Sequence, residues 1–434
     1  MPSETDVVAL LRERGLVQDV AGGELASAAA AGPLNVYCGF DPTADSLHLG
    51  HLLGLVVLTW FRRCGHTPVA LLGGATGRVG DPSGRSAERP VLTDEQIEAN
   101  VAGIRATLED LLSDRNGGGP APVILNNLDW FRDVSLLAFL RDVGKHARVG
   151  TMLSRESVRS RMEADNEGMS FTEFTYQLLQ GYDFLHMSRE HNVRVQVGGS
   201  DQMGNVVAGL DLIRRLGLGS GPACFGLTFP LLTKADGTKM GKSASGAVWL
   251  SPDKLSPFQL YQYLLGSVPD VDVCRFLRQL TFLPLADIAA LEAALGTPGY
   301  TPNSAQRLLA SEVTRFVHGD AGLQAALAAT AALAPGADTQ LDAAALEAVA
   351  AGAPAAELPR SAVVGAPLAD VLAAVGLQPS KAAARRLIKG GGVRVNNRRE
   401  ADELVTLAET DLIEGRLVLL AAGKKNKLLL RVGA

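Results

Sequence analysis

The segment Asn35–His51 constrains the fold of this chain more than any other stretch of its sequence. Val36–Phe40 is short and apolar, Asp41 to Thr43 is a polar turn, and Leu49–Phe61 is almost free of charge. This order predicts a buried strand, a turn and a buried helix. Such a unit opens a βαβ fold, whose ligands bind at the carboxyl ends of the strands.

Two histidines stand at the predicted start of that helix. His48 and His51 are three residues apart, so they share one face of a helix. Gly50 between them removes a side chain, and a flat ligand could approach the backbone there. The free N–H groups and positive dipole end of a helix N-terminus suit phosphate, which predicts a nucleotide site. Taken alone, the pair is also compatible with a metal half-site or with two internally satisfied histidines.

Composition indicates a globular protein without a disulfide framework. The chain has 434 residues, 47% hydrophobic and 20% charged, enough for two to four domains. Its four cysteines form no Cys-x-x-Cys pair, which predicts reduced thiols and no protein-bound structural metal. The N-terminus has no apolar signal-peptide core, and the longest apolar run, around Leu52–Phe61, is too short to span a membrane. We therefore expect a cytoplasmic protein without a membrane segment.

Charge is distributed unevenly along the chain. Residues 360–434 contain 13 Lys and Arg against 7 Asp and Glu, a net charge of +6. Because the whole chain carries −5, the remainder carries −11. An acidic body with a basic tail predicts that the tail meets a polyanion.

Strands and helices alternate after the opening unit. Apolar strands are predicted at 68–72, 122–125 and 193–197, and a capping box at Thr93 starts a helix between the first two. Glycine-rich turns follow the first and last of these strands and would bring backbone close to a ligand. The pattern predicts a Rossmann-like α/β domain with a parallel sheet. In the first of these turns Asp81 could receive an ammonium group, although a flexible surface loop is an alternative interpretation.

The segment Phe171–Met187 carries polar side chains at helical spacing. Tyr176, Gln180 and Asp183 fall at i, i+4 and i+7, on one face of an otherwise apolar helix. Buried donors and acceptors need partners, which predicts a ligand on this face. A solvent-exposed stripe is the alternative, but such stripes usually contain Lys and Glu.

The second half of the chain combines a cationic loop, helices and a basic module. Lys239 and Lys242 lie three apart in a Gly/Ser/Thr loop, and helical patterns cover 252–318. Alanine occupies 18 of the 36 positions from 321 to 356, which predicts a helical linker. Beyond it, two short helices and a basic strand resemble the S4-like α-L fold of RNA-binding modules. The predicted RNA-binding residues are Lys381, Arg385, Arg386, Lys389, Arg394 and Arg398.

Together these motifs resemble those of the bacterial tyrosyl-tRNA synthetases, a class I family, over nearly the whole chain. His48-Leu-Gly-His51 matches the family's HIGH box, and Lys239–Ser243 matches its KMSKS loop. Three more motifs match the tyrosine enzymes in particular, at Tyr37 to Thr43, Tyr176 to Asp183 and Gly198 to Gln202. Five motifs in this order, with an RNA-binding tail, are much more specific than the two class boxes alone.

The resemblance implies a role for each matched residue. Tyr37 and Asp183 would hydrogen-bond the substrate phenol. The substrate ammonium group would be held by Asp81, Tyr176 and Gln180, with Gln196 nearby. The implied catalytic residues are Thr43, His48, His51, Lys239, Lys242 and Ser243. ATP would be bound by Gly39, Asp41, Gly50, His51, Gly199, Asp201, Gln202, Met240 and Lys242.

The implied activity is tyrosine–tRNA ligation by a homodimer. ATP, with Mg²⁺, would convert L-tyrosine to tyrosyl-adenylate, and the tyrosyl group would then pass to the terminal adenosine of tRNA(Tyr). The tyrosine carboxylate is already a nucleophile, so the reaction requires positioning and charge stabilisation rather than a general base. The implied domains are a Rossmann-like catalytic domain at 1–228 with an insertion near 115–165, a KMSKS-type loop at 229–250, an α-helical anticodon-binding domain at 251–325, a linker at 326–365 and an S4-like α+β domain at 366–434.

Some residues depart from the family pattern. Gly241, Met203 and Arg85 stand where many relatives carry Ser (or Gly), Trp and Lys, and the long linker leaves the position of the tail open. Two alternatives remain: another HIGH-type nucleotidyltransferase, such as the tryptophan enzyme, and a non-catalytic RNA-binding protein that has kept the fold. The stripe from Tyr176 to Asp183 argues against the first, and the retained histidine and lysine pairs argue against the second.

Overall fold

The computed structural model describes residues 6–85, 87–90, 92–163, 168–216, 223–243, 246–332, 346, 355–423 and 426–433, without the side chains of residues 242 and 243. The chain divides into two compact units. The first contains residues 1–251 and 268–305, and the second contains residues 252–267 and 306–434. None of the helices in the described ranges combines the length and apolar character needed to cross a membrane.

A six-stranded sheet organises the first unit. Its strands are β1 (Asp19–Ala21), β2 (Asn35–Phe40), β3 (Thr67–Leu72), β4 (Val123–Asn126), β5 (Val193–Gly199) and β6 (Phe225–Phe229). They lie in the order β1-β6-β5-β2-β3-β4, and every neighbouring pair is parallel except the antiparallel pair β1–β6. β2 has β3 on one side and β5 on the other, so it lies at the switch point where α/β sheets bind ligands. The predicted Rossmann-like parallel sheet is confirmed.

Helices cover this sheet and extend beyond it. In chain order they are α1 (Val7–Glu13), α2 (Leu25–Ala31), α3 (Leu52–Arg63), α4 (Asp94–Leu111), α5 (Leu128–Phe131), α6 (Leu136–Asp142), α7 (Val149–Leu153), α8 (Glu156–Glu163), α9 (Phe171–Glu190) and α10 (Met203–Arg215). After a two-stranded hairpin of β7 (Lys242–Ser243) and β8 (Gly246–Ala247) come α11 (Pro257–Ser267), α12 (Asp270–Leu280), α13 (Leu285–Ala294) and α14 (Ser304–Ala332). Gly319, at φ 69°, breaks α14 into two helical segments.

The local sequence explains where the helices nearest the sheet begin. A single 3₁₀ turn at Leu49–His51 precedes α3, whose residues 52–62 are all buried, as expected from the apolar run that ends at Phe61. Thr93 and Gln96 cap α4 reciprocally, which confirms the predicted capping box. The side chain of Ser170 accepts a hydrogen bond from the backbone N–H of Glu173 and so starts α9.

The second unit ends in a small α+β module. Its strands β9 (Ala355–Pro359), β10 (Val393–Val395), β11 (Arg398–Glu400), β12 (Leu417–Ala422) and β13 (Asn426–Gly433) lie in the order β11-β10-β12-β13-β9. Helices α15 (Leu368–Ala374) and α16 (Lys381–Lys389) pack on one face, where Leu372, Ile388 and Leu420 are buried. Leu346 packs with Leu419 in a second buried cluster. The expected small α+β fold is confirmed.

The predicted linker is only partly described. Residues 326–332 form the end of α14, and β9 already belongs to the sheet of the C-terminal module. Residues 333–345 and 347–354 lie outside the described residues.

Candidate active site

A cavity of about 680 Å³ opens at the carboxyl ends of β2 and β5. It brings together side chains or backbone from every predicted motif of the first unit. The predicted residues that line it are Tyr37, Gly39, Asp41, Thr43, His48, Gly50, His51, Asp81, Tyr176, Gln180, Asp183, Gln196, Gly199, Asp201, Gln202, Lys239 and Met240. The side chains of Lys242 and Ser243 lie outside the described residues.

One end of the cavity contains buried polar atoms without partners. Tyr37 is 1% exposed, and its hydroxyl makes no hydrogen bond within the described residues. Gln196 pairs in register with Tyr37 across β5 and β2, and its Oε1 atom also has no partner there. Oε1 of Gln180, elsewhere in the cavity lining, also has no partner among the described residues. Because an unpaired buried polar atom costs free energy, this surface suits a ligand that supplies both donors and acceptors.

Asp183, on α9, is held as an oriented acceptor at this end. Nδ2 of Asn127 donates to its Oδ2 at 3.0 Å, and Nε1 of Trp130 donates to its Oδ1 at 2.9 Å. Burial raises the pKa of Asp183 to about 8, and the two hydrogen bonds oppose that shift. The ring of Tyr37 packs against Phe184, the next residue of α9, with 5.4 Å between ring centroids. The Tyr37 hydroxyl and the Asp183 carboxyl group therefore line the same end.

A hydrogen-bonded link, here called the Asn127–Thr76 bridge, connects Asp183 to a second carboxylate. Oδ1 of Asn127 accepts from the N–H of Ala75 at 2.7 Å, and Nδ2 also donates to Oγ1 of Thr76 at 2.9 Å. Asn127 thus donates both of its amide protons, one to Thr76 and one to Asp183. Thr76 must then donate its own proton, and it does so to Oδ1 of Asp41 at 2.7 Å. The direction of every bond in the bridge is fixed.

The other end of the cavity is rich in carboxylates. Oδ2 of Asp41 accepts from the hydroxyl of Tyr176 at 2.8 Å. Asp81 accepts from the backbone of Ser83 at 2.9 Å and from Nε2 of Gln202 at 2.8 Å. Burial raises the pKa of Asp41 to about 6, and the nearby charge of Asp81 adds to the rise. In the described part of the chain neither carboxylate forms a side-chain ion pair, so the site favours a cationic ligand group.

The two histidines form a neutral donor pair. Nδ1 of His48 accepts from the N–H of Gly50 at 3.1 Å, and Nδ1 of His51 accepts from the N–H of His48 at 3.2 Å. The rings stack with 3.9 Å between centroids. Burial lowers the pKa of His48 and lowers that of His51 to about 3, so both imidazoles are neutral at pH 7. Each proton therefore lies on Nε2, which leaves one N–H donor on each ring.

The loop that carries Lys239 is joined to the histidine segment through backbone hydrogen bonds. Val248 donates to the carbonyl of Gly241 at 2.9 Å, and Leu49 donates to the carbonyl of Val248 at 2.8 Å. Gly241 has φ +105°, which a residue with a side chain rarely adopts. The backbone conformation therefore explains why glycine, rather than the serine of many relatives, stands at position 241. The exposed Lys239 lines the same cavity as His48.

Several residues of the site carry no recognisable sequence signal. Arg85 and Arg89 line the cavity, and their charges act on His48, yet a single basic residue in a polar loop has no informative spacing. Asn127 and Trp130 follow an ordinary strand end, and only the fold brings them to Asp183. Gln202 was expected at the nucleotide, but its amide contacts Asp81.

Comparison with known proteins agrees with the motifs. Residues 29–334 match the family "tRNA synthetases class I (W and Y)". Residues 345–430 match the family "Tyrosine--tRNA ligase SYY-like C-terminal domain".

Individual relatives cover nearly the whole chain. A chloroplastic/mitochondrial tyrosine--tRNA ligase of Arabidopsis thaliana is 54% identical over 98% of this chain and 84% of its own length. The tyrosine--tRNA ligase of Protochlamydia amoebophila is 50% identical over 99% of both chains. Among solved structures, a C-terminally truncated mitochondrial tyrosyl-tRNA synthetase of Aspergillus nidulans is 35% identical, with a TM-score of 0.66 over 74% of this chain and 92% of that one.

Proposed function

The chain belongs to the tyrosine–tRNA ligases of the class I synthetase family, and we propose that it converts tyrosine and ATP to tyrosyl-adenylate and pyrophosphate in the cavity at the ends of β2 and β5. It is an aminoacyl-tRNA ligase that charges tRNA with tyrosine. One observation supports this site above all: the unpaired Tyr37 hydroxyl lines the same end as the oriented Asp183 carboxylate, and the opposite end is acidic.

Tyrosine would bind along the length of the cavity. Its phenol would donate to Asp183 and accept from the hydroxyl of Tyr37, which satisfies a buried atom that otherwise has no partner. Its ammonium group would lie at the acidic end, against Asp81, Oε1 of Gln180 and the hydroxyl of Tyr176. A side chain without the phenolic hydroxyl would leave Tyr37 unpaired, which gives selectivity for tyrosine.

ATP would lie along the histidine segment. A carboxylate oxygen of tyrosine attacks the α-phosphorus, and the bond from that phosphorus to the bridging oxygen of pyrophosphate breaks, with the electron pair leaving on pyrophosphate. Nε2–H groups of His48 and His51, with Lys239, Arg85 and Arg89, would stabilise the charge that develops there. Mg²⁺ would accompany the ATP phosphates as their counter-ion. Among the described residues no group of three His, Cys, Asp or Glu side chains could hold a metal ion. Mg²⁺ would therefore be bound mainly through the ATP phosphates.

The substrate assignment is tested by amino-acid-dependent exchange of pyrophosphate into ATP. We expect exchange with tyrosine and essentially none with phenylalanine or tryptophan. Exchange with tryptophan but not tyrosine would favour the related tryptophan enzyme. Absence of exchange with any amino acid would favour a non-catalytic RNA-binding protein.

Tyrosine binding should depend on pH through Asp41. Burial raises its pKa from 3.8 to about 6 in the empty site. An ammonium group favours the carboxylate form, so binding lowers that pKa and releases a proton. The contribution of Asp41 to affinity should therefore rise with pH by up to about tenfold per unit below pH 6 and then level off. Calorimetry from pH 5 to pH 8 measures this dependence, and Asp41→Asn should flatten it. Equal slopes in the variant and the wild type would contradict the assignment.

The basic C-terminal module would bind tRNA through α16. Lys381 is paired with Asp370 at 2.8 Å, Lys389 with Glu403 at 3.6 Å and Arg398 with Asp411 at 2.8 Å. Arg394 donates to the carbonyl of Asn397 at 2.9 Å. Arg385 and Arg386 are exposed and form no ion pair within the described residues. Of the six predicted residues, these two are the most available to phosphate.

Charge reversal at these two arginines should separate the two reaction steps. The double variant Arg385→Glu, Arg386→Glu should raise KM for tRNA by about tenfold or more, because each phosphate contact adds to binding. Tyrosine-dependent pyrophosphate exchange should stay within about twofold of wild type, since the substitutions lie outside the cavity. Arg416→Glu, elsewhere on the module, is the control for charge reversal as such. Unchanged tRNA charging by the double variant would contradict the proposed surface.

We propose that the insertion around α6 and α7 is a homodimer interface. Leu136 and Leu137 are 71% and 78% exposed, and Val149 is 61% exposed. Large apolar side chains clustered on one exposed region favour a protein partner. Leu137→Glu should convert a sedimenting dimer to monomer, whereas Leu404→Glu, an equally exposed leucine on the C-terminal module, should not. A wild-type monomer, or a dimer unaffected by Leu137→Glu, would contradict this proposal.

The predicted domain boundaries and cytoplasmic location also remain proposals. A reducing compartment is supported by the four cysteines, none of which forms a disulfide. They are Cys38, Cys64, Cys224 and Cys274.

A further inference from the structure

Behind the acidic end of the cavity lies a buried asparagine that does not itself line the cavity. Asn205 stands in the first turn of α10 and is 4% exposed. Its Nδ2 donates to Oε1 of Gln202 at 3.1 Å and to Oγ of Ser83 at 3.3 Å. Gln202 is three residues earlier, so the two amides share one face of the helix start.

The amide of Gln202 can face Asp81 in two ways, and only one of them is favourable. A glutamine amide exchanges its donor and acceptor ends on rotation by half a turn. With Oε1 held by Asn205, Nε2 faces Oδ2 of Asp81 at 2.8 Å. In the rotated state, Oε1 would face the carboxylate and Nε2 would face the amide nitrogen of Asn205. Both contacts would then be repulsive, so Asn205 selects the first state.

The second residue that Asn205 contacts, Ser83, binds the other carboxylate oxygen of Asp81. The backbone N–H of Ser83 donates to Oδ1 of Asp81 at 2.9 Å, and the hydroxyl of Ser83 accepts from Asn205. Both oxygens of Asp81 are therefore placed by residues that Asn205 holds. Ser83, Gln202 and Asp81 line the cavity, whereas Asn205 acts through them.

We propose that Asn205 is a positioning residue that fixes the Asp81 carboxylate for the substrate ammonium group. The proposal rests on the tyrosine site described above. Its effect is confined to the ammonium end, because the side-chain hydrogen bonds of Asn205 reach Ser83 and Gln202, whereas Asp183 is held by Asn127 and Trp130. Loss of Asn205 should weaken any ligand that carries the ammonium group and spare a ligand that lacks it.

Two substrate fragments test, in the full-length enzyme, whether the effect of Asn205 is limited to ligands that carry the ammonium group. Tyramine has the phenol and the ammonium group, and 3-(4-hydroxyphenyl)propanoate has the phenol without the ammonium group. Each is measured as a competitor of tyrosine in pyrophosphate exchange, with Asn205→Leu, which nearly conserves volume, and Asn205→Ala as a second variant. We expect the inhibition constant of tyramine to rise about tenfold and that of the propanoate to change less than about twofold. Equal changes for both fragments, or no change for tyramine, would overturn the proposal.

A matched asparagine at the opposite end provides the control. Asn127→Leu removes a donor to Asp183 and should weaken the propanoate as well as tyramine, since both carry the phenol, whereas the Asn205 variants should spare the propanoate. If the wild type shows no tyrosine-dependent exchange, the proposed function itself fails. If the wild type is active and the tyramine-selective loss is missing, only the role of Asn205 fails.

Discussion

Replacing Asp183 by alanine should raise KM for tyrosine at least about 100-fold, because the substrate phenol loses its buried hydrogen-bond acceptor. The substitution removes the acceptor for the phenol and also leaves Nδ2 of Asn127 and Nε1 of Trp130 without their partner. KM for ATP should change less than about twofold, since the histidine segment is untouched. The preference for tyrosine over phenylalanine should narrow at the same time. Steady-state pyrophosphate exchange measures all three quantities.

Two further variants test whether the rise in KM for tyrosine comes from losing the acceptor at position 183 or from removing a carboxylate in general. Asp183→Asn conserves shape but turns a donor towards one of the two existing donors, so it should be nearly as impaired as the alanine variant. Asp287→Ala removes an exposed carboxylate from α13 and should behave as wild type. If Asp183→Ala raised KM for ATP as much as KM for tyrosine, the residue would not hold the phenol.

Replacing Lys239 by alanine should lower kcat for exchange about 100-fold or more, as expected when a donor to developing charge is lost. Lys239 lines the cavity and forms no ion pair within the described residues, so its charge is available to the leaving pyrophosphate. KM for tyrosine should remain within about twofold, because the phenol and ammonium contacts persist. Pre-steady-state formation of the adenylate reports the step directly.

A lysine in the same loop provides the matched control. Lys234 lies five residues earlier, in the same loop as Lys239 but away from the cavity lining, and Lys234→Ala should keep nearly full activity. Lys239→Arg should recover part of the lost rate, since it keeps the charge and changes its geometry. A loss of tyrosine affinity equal to the loss of kcat would indicate that Lys239 supports the fold of the loop instead.

Periodicity and turn chemistry were sufficient to predict the framework of the site. The charge-free run after His48 became a buried helix, and the stripe from Tyr176 to Asp183 became one face of α9. In both segments the predictive signal is the local spacing of side chains along one helix. Local spacing carries that information because side chains at i, i+3 and i+4 meet on one face.

The partners of these residues could not be predicted in the same way. Asn127 lies 56 residues from Asp183, and Gln202 lies 121 residues from Asp81. Such pairs meet only when parallel strands align their carboxyl ends, and no spacing in the sequence encodes the distance. The direction of a hydrogen bond is also invisible in the sequence. The contact of Gln202 with Asp81 is an example, since it depends on which end of the Gln202 amide Asn205 holds.

The Asn127–Thr76 bridge has a consequence for anyone who wishes to change the amino acid that this enzyme accepts. Each hydrogen bond in the bridge has one fixed direction. Asp183, which would bind the substrate phenol, is therefore coupled to Asp41, which lies at the end where the amino group would bind. A library that randomises Asp183 alone would also remove one hydrogen-bond partner of Asn127, whose amide in turn holds Thr76 against Asp41. Selections should therefore vary positions 127 and 183 together and keep Thr76 constant. A new side-chain preference is then not gained at the expense of binding the amino group of the substrate.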